Sequence, residues 1–172
     1  MTRLLGAILA GGQARRFGSD KAQALYEGAR LIDRVAAALA AQCETVVVCG
    51  RDEPGFACIP DWPEPGQGPL GGLAAALRHA EAQGFTHVLS AGVDAPDLPH
   101  AVSIMLAGKG AAIVESQPVV GLWPVALGGA LEAFMAGSGR SLYRFADAVA
   151  ARRVELDAPL MNVNRPEDLP PA

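Results

Sequence analysis

The chain has 172 residues, enough for one domain with a substantial core. With 51% hydrophobic and 19% charged residues, it is not intrinsically disordered. A formal charge of −4 and only 5% aromatic residues exclude a basic nucleic-acid platform and a stacking surface for single strands, so no nucleic-acid partner is expected.

The predicted elements alternate between strand and helix. "LLGAIL" (Leu4–Leu9) reads as a buried strand. In "LIDRVAAALAAQ" (Leu31–Gln42), Leu31, Ile32, Val35 and Leu39 share one helical face. "TVVVCG" (Thr45–Gly50) is a β-branched strand stopped by glycine. "PLGGLAAALRHAEAQG" (Pro69–Gly84) is a helix with Pro69 in its first turn. "THVLSAGVD" (Thr86–Asp94) is the next strand and "HAVSIMLAG" (His100–Gly108) a short helix. "AAIVES" and "VVGLWPVAL" read as strands, "LEAFMAG" and "SLYRFADAVAARR" as helices, and "VELD" as a last short strand. The Pro/Gly-rich "PDWPEPGQGP" (Pro60–Pro69) is a loop, since periodic elements resume on both sides. Continuous apolar strands separated by helices predict a single α/β domain over residues 1–172, with a mostly parallel sheet covered on both faces. Such sheets bind ligands beyond the carboxyl ends of their strands, which directs attention to the residues after each strand.

Cys43, Cys49 and Cys58 form no CxxC and have no histidine at metal-ligand spacing; they read as small apolar residues in a reducing compartment. His79, His87 and His100 are scattered and receive no catalytic role. The opening "MTRLLGAILAGG" has a signal-like apolar run, but the glycine interruption and the following "RRFGSDK" favour a first core strand. No apolar run approaches the roughly 20 residues that span a bilayer, so a cytoplasmic protein without a membrane partner is expected.

Four segments carry chemistry. "LAGGQARRFGSDK" (Leu9–Lys21) follows the first strand with Gly11 and Gly12, then Arg15, Arg16, Gly18 and Lys21. Bare backbone plus cations suits a polyphosphate cradle. It is neither a Walker loop nor GxGxxG, and an exposed glycine turn with solvated charges is the competing reading. Asp94 ends a strand before "APDLP"; it suits a magnesium ligand shared with substrate phosphates, or equally an Asx turn before Pro96. Asp97 reads as a turn or cap residue. Asp61 heads a loop able to wrap a base or ribose, or is simply a surface acid. Asn162 and Asn164, two apart in "MNVNRPEDL", face one way in extended chain and present two amides to one ligand, unless they only form a turn. "GLWP" (Gly121–Pro124) reads as core.

"LAGGQARRFGSDK" resembles the signature loop of nucleotidyltransferases that consume a nucleoside triphosphate and release pyrophosphate. "GPLGGL", "VDAPDLP", "QPVVGLWP" and "NVNRPEDL" match further segments of that family in the same order, from the first strand to the last few residues. The resemblance is nearest to molybdenum cofactor guanylyltransferases of MobA type. It implies a three-layer α/β/α Rossmann-like domain of the nucleotide-diphospho-sugar-transferase kind. It implies GTP as substrate, magnesium as cofactor and molybdenum-molybdopterin as acceptor, with transient contact to cofactor-maturation or molybdoenzyme proteins. By motif position, Leu9, Ala10 and Gly11 would meet the nucleotide through backbone, with Gly12 beside them. Lys21 would bind the triphosphate, Asp61 the nucleoside and Asp94 the metal. Asn162 and Asn164 would face the acceptor, and Arg16 and Gly18 would belong to the loop that closes over the phosphates. The chain departs from the family where Gly50 stands in place of a frequent asparagine, and Val93 in place of a frequent cysteine. Related cytidylyltransferases usually read LAAG in the loop and carry aspartates at the Asn162 and Asn164 positions; "LAGG" and the two asparagines favour GTP. Sugar nucleotidyltransferases are longer, and a non-catalytic GTP-binding assembly module would have no use for Lys21 and Asp94.

Overall fold

The computed structural model describes residues 1–12 and 18–171; Arg15 and Arg16 fall outside the described residues. Strand β1 (Leu4–Leu9) has Leu5, Ala7 and Ile8 fully buried, because it has a neighbour on each edge and helices over each face. β4 (Thr45–Cys49) and β6 (His87–Ala91) flank it, both parallel, with Ile8 opposite Val48 on one side and Ala91 on the other. β5 (Ala57–Ile59) extends the β4 edge in parallel. On the opposite side β8 (Gln117–Pro124) pairs antiparallel with β6 and with β7 (Ala112–Val114), and β9 (Arg152–Val154) closes that edge parallel to β7. The order β5-β4-β1-β6-β8-β7-β9 is the mostly parallel, doubly covered sheet expected. From β1 the chain moves first to β4 on one side and only later to β6 on the other. The carboxyl ends of β1 and β6 therefore border the point where the strand order reverses.

Two apolar layers hold the sheet. Helix α1 (Leu31–Ala40) buries Leu31, Ile32, Val35 and Leu39 on one face, as its periodicity predicted, alongside α3 (Val102–Leu106). Helix α2 (Gly68–Ala82) covers the other face with α4 (Gly128–Ala136) and α5 (Leu142–Ala148). Small residues let α2 lie close to the sheet: a Cβ on Gly72 would stand 3.1 Å from Leu9 and 3.4 Å from Cys49 Cβ. Trp123 is core, as "GLWP" suggested. Its indole Nε1 donates to Ser90 Oγ at 2.9 Å, and its ring stacks on Phe145 with centroids 5.7 Å apart.

The boundaries differ from expectation in three places. Residues Leu25–Tyr26 (β2) and Ala29–Arg30 (β3) form a small hairpin, turned by Glu27 and Gly28, both at positive φ. β5 lies just before the expected Pro60–Pro69 loop, in a stretch given no element, because three residues on an edge, one exposed and two half-buried, show no clear alternation. The end of the chain is shifted: α5 stops at Ala148 and the final strand is Arg152–Val154, where a helix had been expected to Arg153 and a strand over "VELD". Tertiary pairing with β7 overrides helical propensity there. Among the described residues no helix is long and apolar enough to cross a membrane.

Phe145 is fully buried between Trp123 and Phe134. Phe145→Ala is expected to lower the unfolding free energy by about 3–5 kcal/mol, read as a shift in the urea midpoint at unchanged slope.

Candidate active site

The carboxyl end of β1 opens onto the site. Ala10 N donates to the Cys49 carbonyl at 3.0 Å, so β1 and β4 stay paired to the rim of the sheet. Just beyond, two glycines meet backbone to backbone. A Cβ on Gly50 would lie 2.7 Å from Gly11 Cα and 2.6 Å from Asp61 Oδ1, and Gly50 holds φ at +86°. Glycine alone meets both demands. The asparagine that the family resemblance led one to expect at this position has no room on this backbone.

A cleft of about 510 Å³ lies over this floor, within the usual range of small-molecule sites. Leu9, Ala10, Gly11, Gly12, Lys21, Asp61, Asp94, Asn162 and Asn164 all line it, drawn from positions 9 to 164 of the sequence. A second recess of about 950 Å³ adjoins it, shares Gly11, Gly12, Arg51, Asp61 and Gly68, and is walled by Pro60, Pro65 and Gly66. Gly18, at φ +75°, is exposed and lies outside the described lining; Arg16 is not among the described residues.

Lys21 is the meeting point of the site. It begins a 3₁₀ turn, Lys21–Gln23, whose start is capped by Asp20 through Ala22 N at 3.2 Å. Its Nζ lies 3.5 Å from Asp94 Oδ1 and donates to the Val163 carbonyl at 3.1 Å. Val163 N in turn donates to the Asp94 carbonyl at 2.9 Å. Asp94 thus follows β6 directly into the cleft, and Asn162 and Asn164 flank the buried Val163 with both exposed side chains on the cleft.

A network that sequence reading did not single out fixes the Lys21 turn. Arg51, next after Gly50, donates to both oxygens of Asp20 at 2.8 and 2.6 Å. The Arg51 guanidinium holds the Asp20 carboxyl below the usual carboxylate range. Arg51 also pairs with Glu53 at 3.1 Å, whose side chain is only 1% exposed. Arg30 at 2.9 Å and the Gln23 amide at 2.9 and 3.1 Å complete the shell around that carboxylate. Two guanidiniums and an amide around this buried carboxylate offset part of its desolvation cost. The available signal was position: Arg51 stands just after a strand's carboxyl end. Gln117, Pro118 and Leu142, also lining the cleft, carry no such signal beyond the "QPVVGLWP" segment.

Asp61 is 8% exposed, and its buried Oδ1 has no hydrogen-bond partner among the described residues. Burial pushes its carboxyl above the usual range. The donor set fits one divalent cation of the magnesium type. Asp94 offers a partly exposed carboxylate in the cleft, and among the described residues no group of three His, Cys, Asp or Glu side chains makes a closed cage. An ion that keeps water and phosphate oxygens needs no more than this. The cysteines are as expected: all are free, and burial pushes the Cys43 and Cys49 thiols up to about 12, far from nucleophilic. His79, His87 and His100 are not among the residues lining the cleft.

Residues 6–154 match the family described as MobA-like NTP transferase domain. The chain is 38% identical over 183 residues to a molybdenum cofactor guanylyltransferase of Cereibacter sphaeroides, covering 97% of this chain and 94% of that one. Its fold is similar to the molybdopterin-guanine dinucleotide biosynthesis protein A of Archaeoglobus fulgidus, with TM-score 0.72, 22% identity, and 95% and 94% of the two chains covered. It is also similar in fold to a Mycobacterium tuberculosis protein solved in complex with manganese, at TM-score 0.62 and 15% identity, covering 97% and 96% of the chains.

Because burial raises the Asp61 carboxyl, the native state binds the extra proton between the unfolded and native values, and stability falls as pH rises through that window. Asp61→Asn is therefore expected to raise the urea midpoint at pH 7 and to lose that advantage as pH drops below the ordinary carboxylate range. A midpoint difference independent of pH would contradict this.

Proposed function

Because the chain belongs to the MobA-like NTP transferase family, we propose that it transfers GMP from GTP to the terminal phosphate of molybdenum-molybdopterin, forming the guanine dinucleotide cofactor and pyrophosphate. The observation that carries this reading is the convergence on Lys21. One ammonium touches the carboxylate after β6 and the segment bearing Asn162 and Asn164, beside the glycine floor at the strand-order reversal. The residues assigned to nucleotide, cation and acceptor thus line one cleft.

The reaction joins two anions. An oxygen of the acceptor's phosphate attacks the α-phosphorus of GTP, the bond from that phosphorus to the β-phosphate's bridging oxygen breaks, and pyrophosphate leaves. The acceptor phosphate is already ionised at neutral pH, so the chain need not supply a strong base. Its task is to bring like charges together and neutralise them. Gly11 and Gly12 let the nucleotide lie on main chain, while Leu9 and Ala10 continue that surface from the strand end. Lys21 meets the phosphates with an ammonium already oriented by Asp94 and the Val163 carbonyl. Arg16 and Gly18, in the rest of the loop, close over the leaving pyrophosphate. Asp61 holds the nucleoside from the adjoining recess, and Asn162 and Asn164 position the acceptor. Asp94 would hold the divalent cation, magnesium in this proposal, which supplies neutralisation of charge on the phosphates. The whole of 1–172 acts as one such domain in the cytoplasm, exchanging product with cofactor-maturation or molybdoenzyme proteins. The relatives are named for guanylyl transfer, which favours GTP over CTP here.

Lys21→Ala and Asp94→Asn are each expected to lower the rate of GMP transfer by at least about 100-fold, with far-ultraviolet circular dichroism unchanged. Near-normal transfer by either variant would overturn the assignment. Thermal-shift titration with GTP, CTP and ATP, with and without magnesium, should give a magnesium-enhanced shift with GTP alone.

A further inference from the structure

The segment that carries Asn162 and Asn164 has no helix or strand of its own around those residues; its placement depends on point contacts. Six of its backbone groups are held by named partners. Val163 N and O are taken by the Asp94 carbonyl and Lys21, as described. Asn164 N and Arg165 N both donate to Asp168 Oδ2 at 2.8 Å, which closes the far end on itself. The near end is fixed from outside. Met161 N donates to both oxygens of Asp97, at 3.0 and 3.1 Å. The Met161 carbonyl accepts from the Gln117 amide at 2.6 Å. Gln117 is itself 6% exposed and starts β8, so it is an immobile donor.

Asp97 stands three residues after Asp94 in the same loop, which contains the buried Ala95 and Leu98. Its carboxylate is therefore carried by the rigid connection that also carries Asp94. We infer that Asp97 is a positioning residue for the acceptor: by gripping Met161 N from the Asp94 loop, it fixes the distance between Asn162 and Asn164 and the reacting phosphates. A turn or cap role, the expectation from sequence, would direct the carboxylate to its own loop; here it reaches 64 positions along the chain instead. The consequence is separable from nucleotide binding, because the Asp97 side chain does not line the cleft. In the extended run from 161 to 164, losing the Asp97 contact loosens the main chain just before Asn162, while the Gln117 amide, Asp94, Lys21 and Asp168 keep the other contacts.

This inference rests on the proposed acceptor role of Asn162 and Asn164. It is tested with Asp97→Ala and Asp97→Asn in the full chain, using GTP, magnesium and molybdenum-loaded molybdopterin. Asp97→Ala should raise the acceptor KM about tenfold with kcat changed less than about threefold, the signature of lost substrate positioning. Its affinity for GTP with magnesium should match that of the unaltered protein. Hydrogen exchange over residues 158–168 should speed up in the ligand-free protein, while exchange elsewhere stays unchanged. Asp97→Asn keeps one acceptor oxygen for Met161 N and should recover most of both effects. An unchanged acceptor KM in Asp97→Ala, unchanged exchange in 158–168, or an equal loss of GTP affinity overturns the positioning role while leaving guanylyl transfer standing. Absence of GMP transfer by the unaltered protein overturns the proposed function, and the positioning role with it.

Discussion

The Lys21 ammonium is the constraint on which the site depends. A lysine amine has three donors and a long, flexible stem, and in water it would sample many rotamers. Here it is 15% exposed and fixed between the Asp94 carboxylate and the Val163 carbonyl. Each of those is in turn bound to the other through Val163 N and the Asp94 carbonyl. The three-way closure joins the loop after β1, the loop after β6 and the chain beyond β9. Remove the ammonium and the Asp94 carboxylate and the Val163 carbonyl lose the cation they share, so binding geometry and local order are coupled at this one atom.

Behind Lys21 stands a second layer of charge. Asp20 caps the turn that carries the lysine, Arg51 grips Asp20, and Glu53 ties Arg51 to Arg30 and thence to the start of α1. Most of these groups are partly exposed, so each pair alone contributes modestly. Glu53 is the exception. Its burial makes the arrangement all-or-none, since taking away one guanidinium would leave a carboxylate in the interior short of a partner. The turn that carries Lys21 is therefore anchored to the sheet and the first helix by these charges as well as by the buried Ala22.

Much of this was legible from residue patterns. Strand β1, the α1 stripe of Leu31, Val35 and Leu39, and the bare backbone at Gly11 and Gly12 followed from period and composition, and they pointed to a cleft beyond the carboxyl end of β1. Asp94, Lys21, Asp61, Asn162 and Asn164 do gather around one cavity. What escaped was what depends on long-range pairing. β5 and β9 exist because β4 and β7 offer them an edge, not because of their own sequences. The Arg51–Asp20 pair joins residues 31 apart and has no local signature. Asp97 illustrates the same limit: before a proline-rich turn its local chemistry is that of a cap, and only the folded chain brings Met161 to it.

The contact between Gly11 and Gly50 bears on how such a protein can change over evolutionary time. Where the floor of a binding site is main chain packed on main chain, side-chain substitution has nothing to rewrite, and adding even one carbon at Gly50 collides with the neighbouring strand. Drift in ligand preference is thus channelled to the walls, where the loop from Pro60 to Gly68 and residues such as Pro118 and Val119 present replaceable side chains. Such a division keeps whatever part of a ligand rests on the floor under purifying pressure while leaving the part that meets the walls open to innovation.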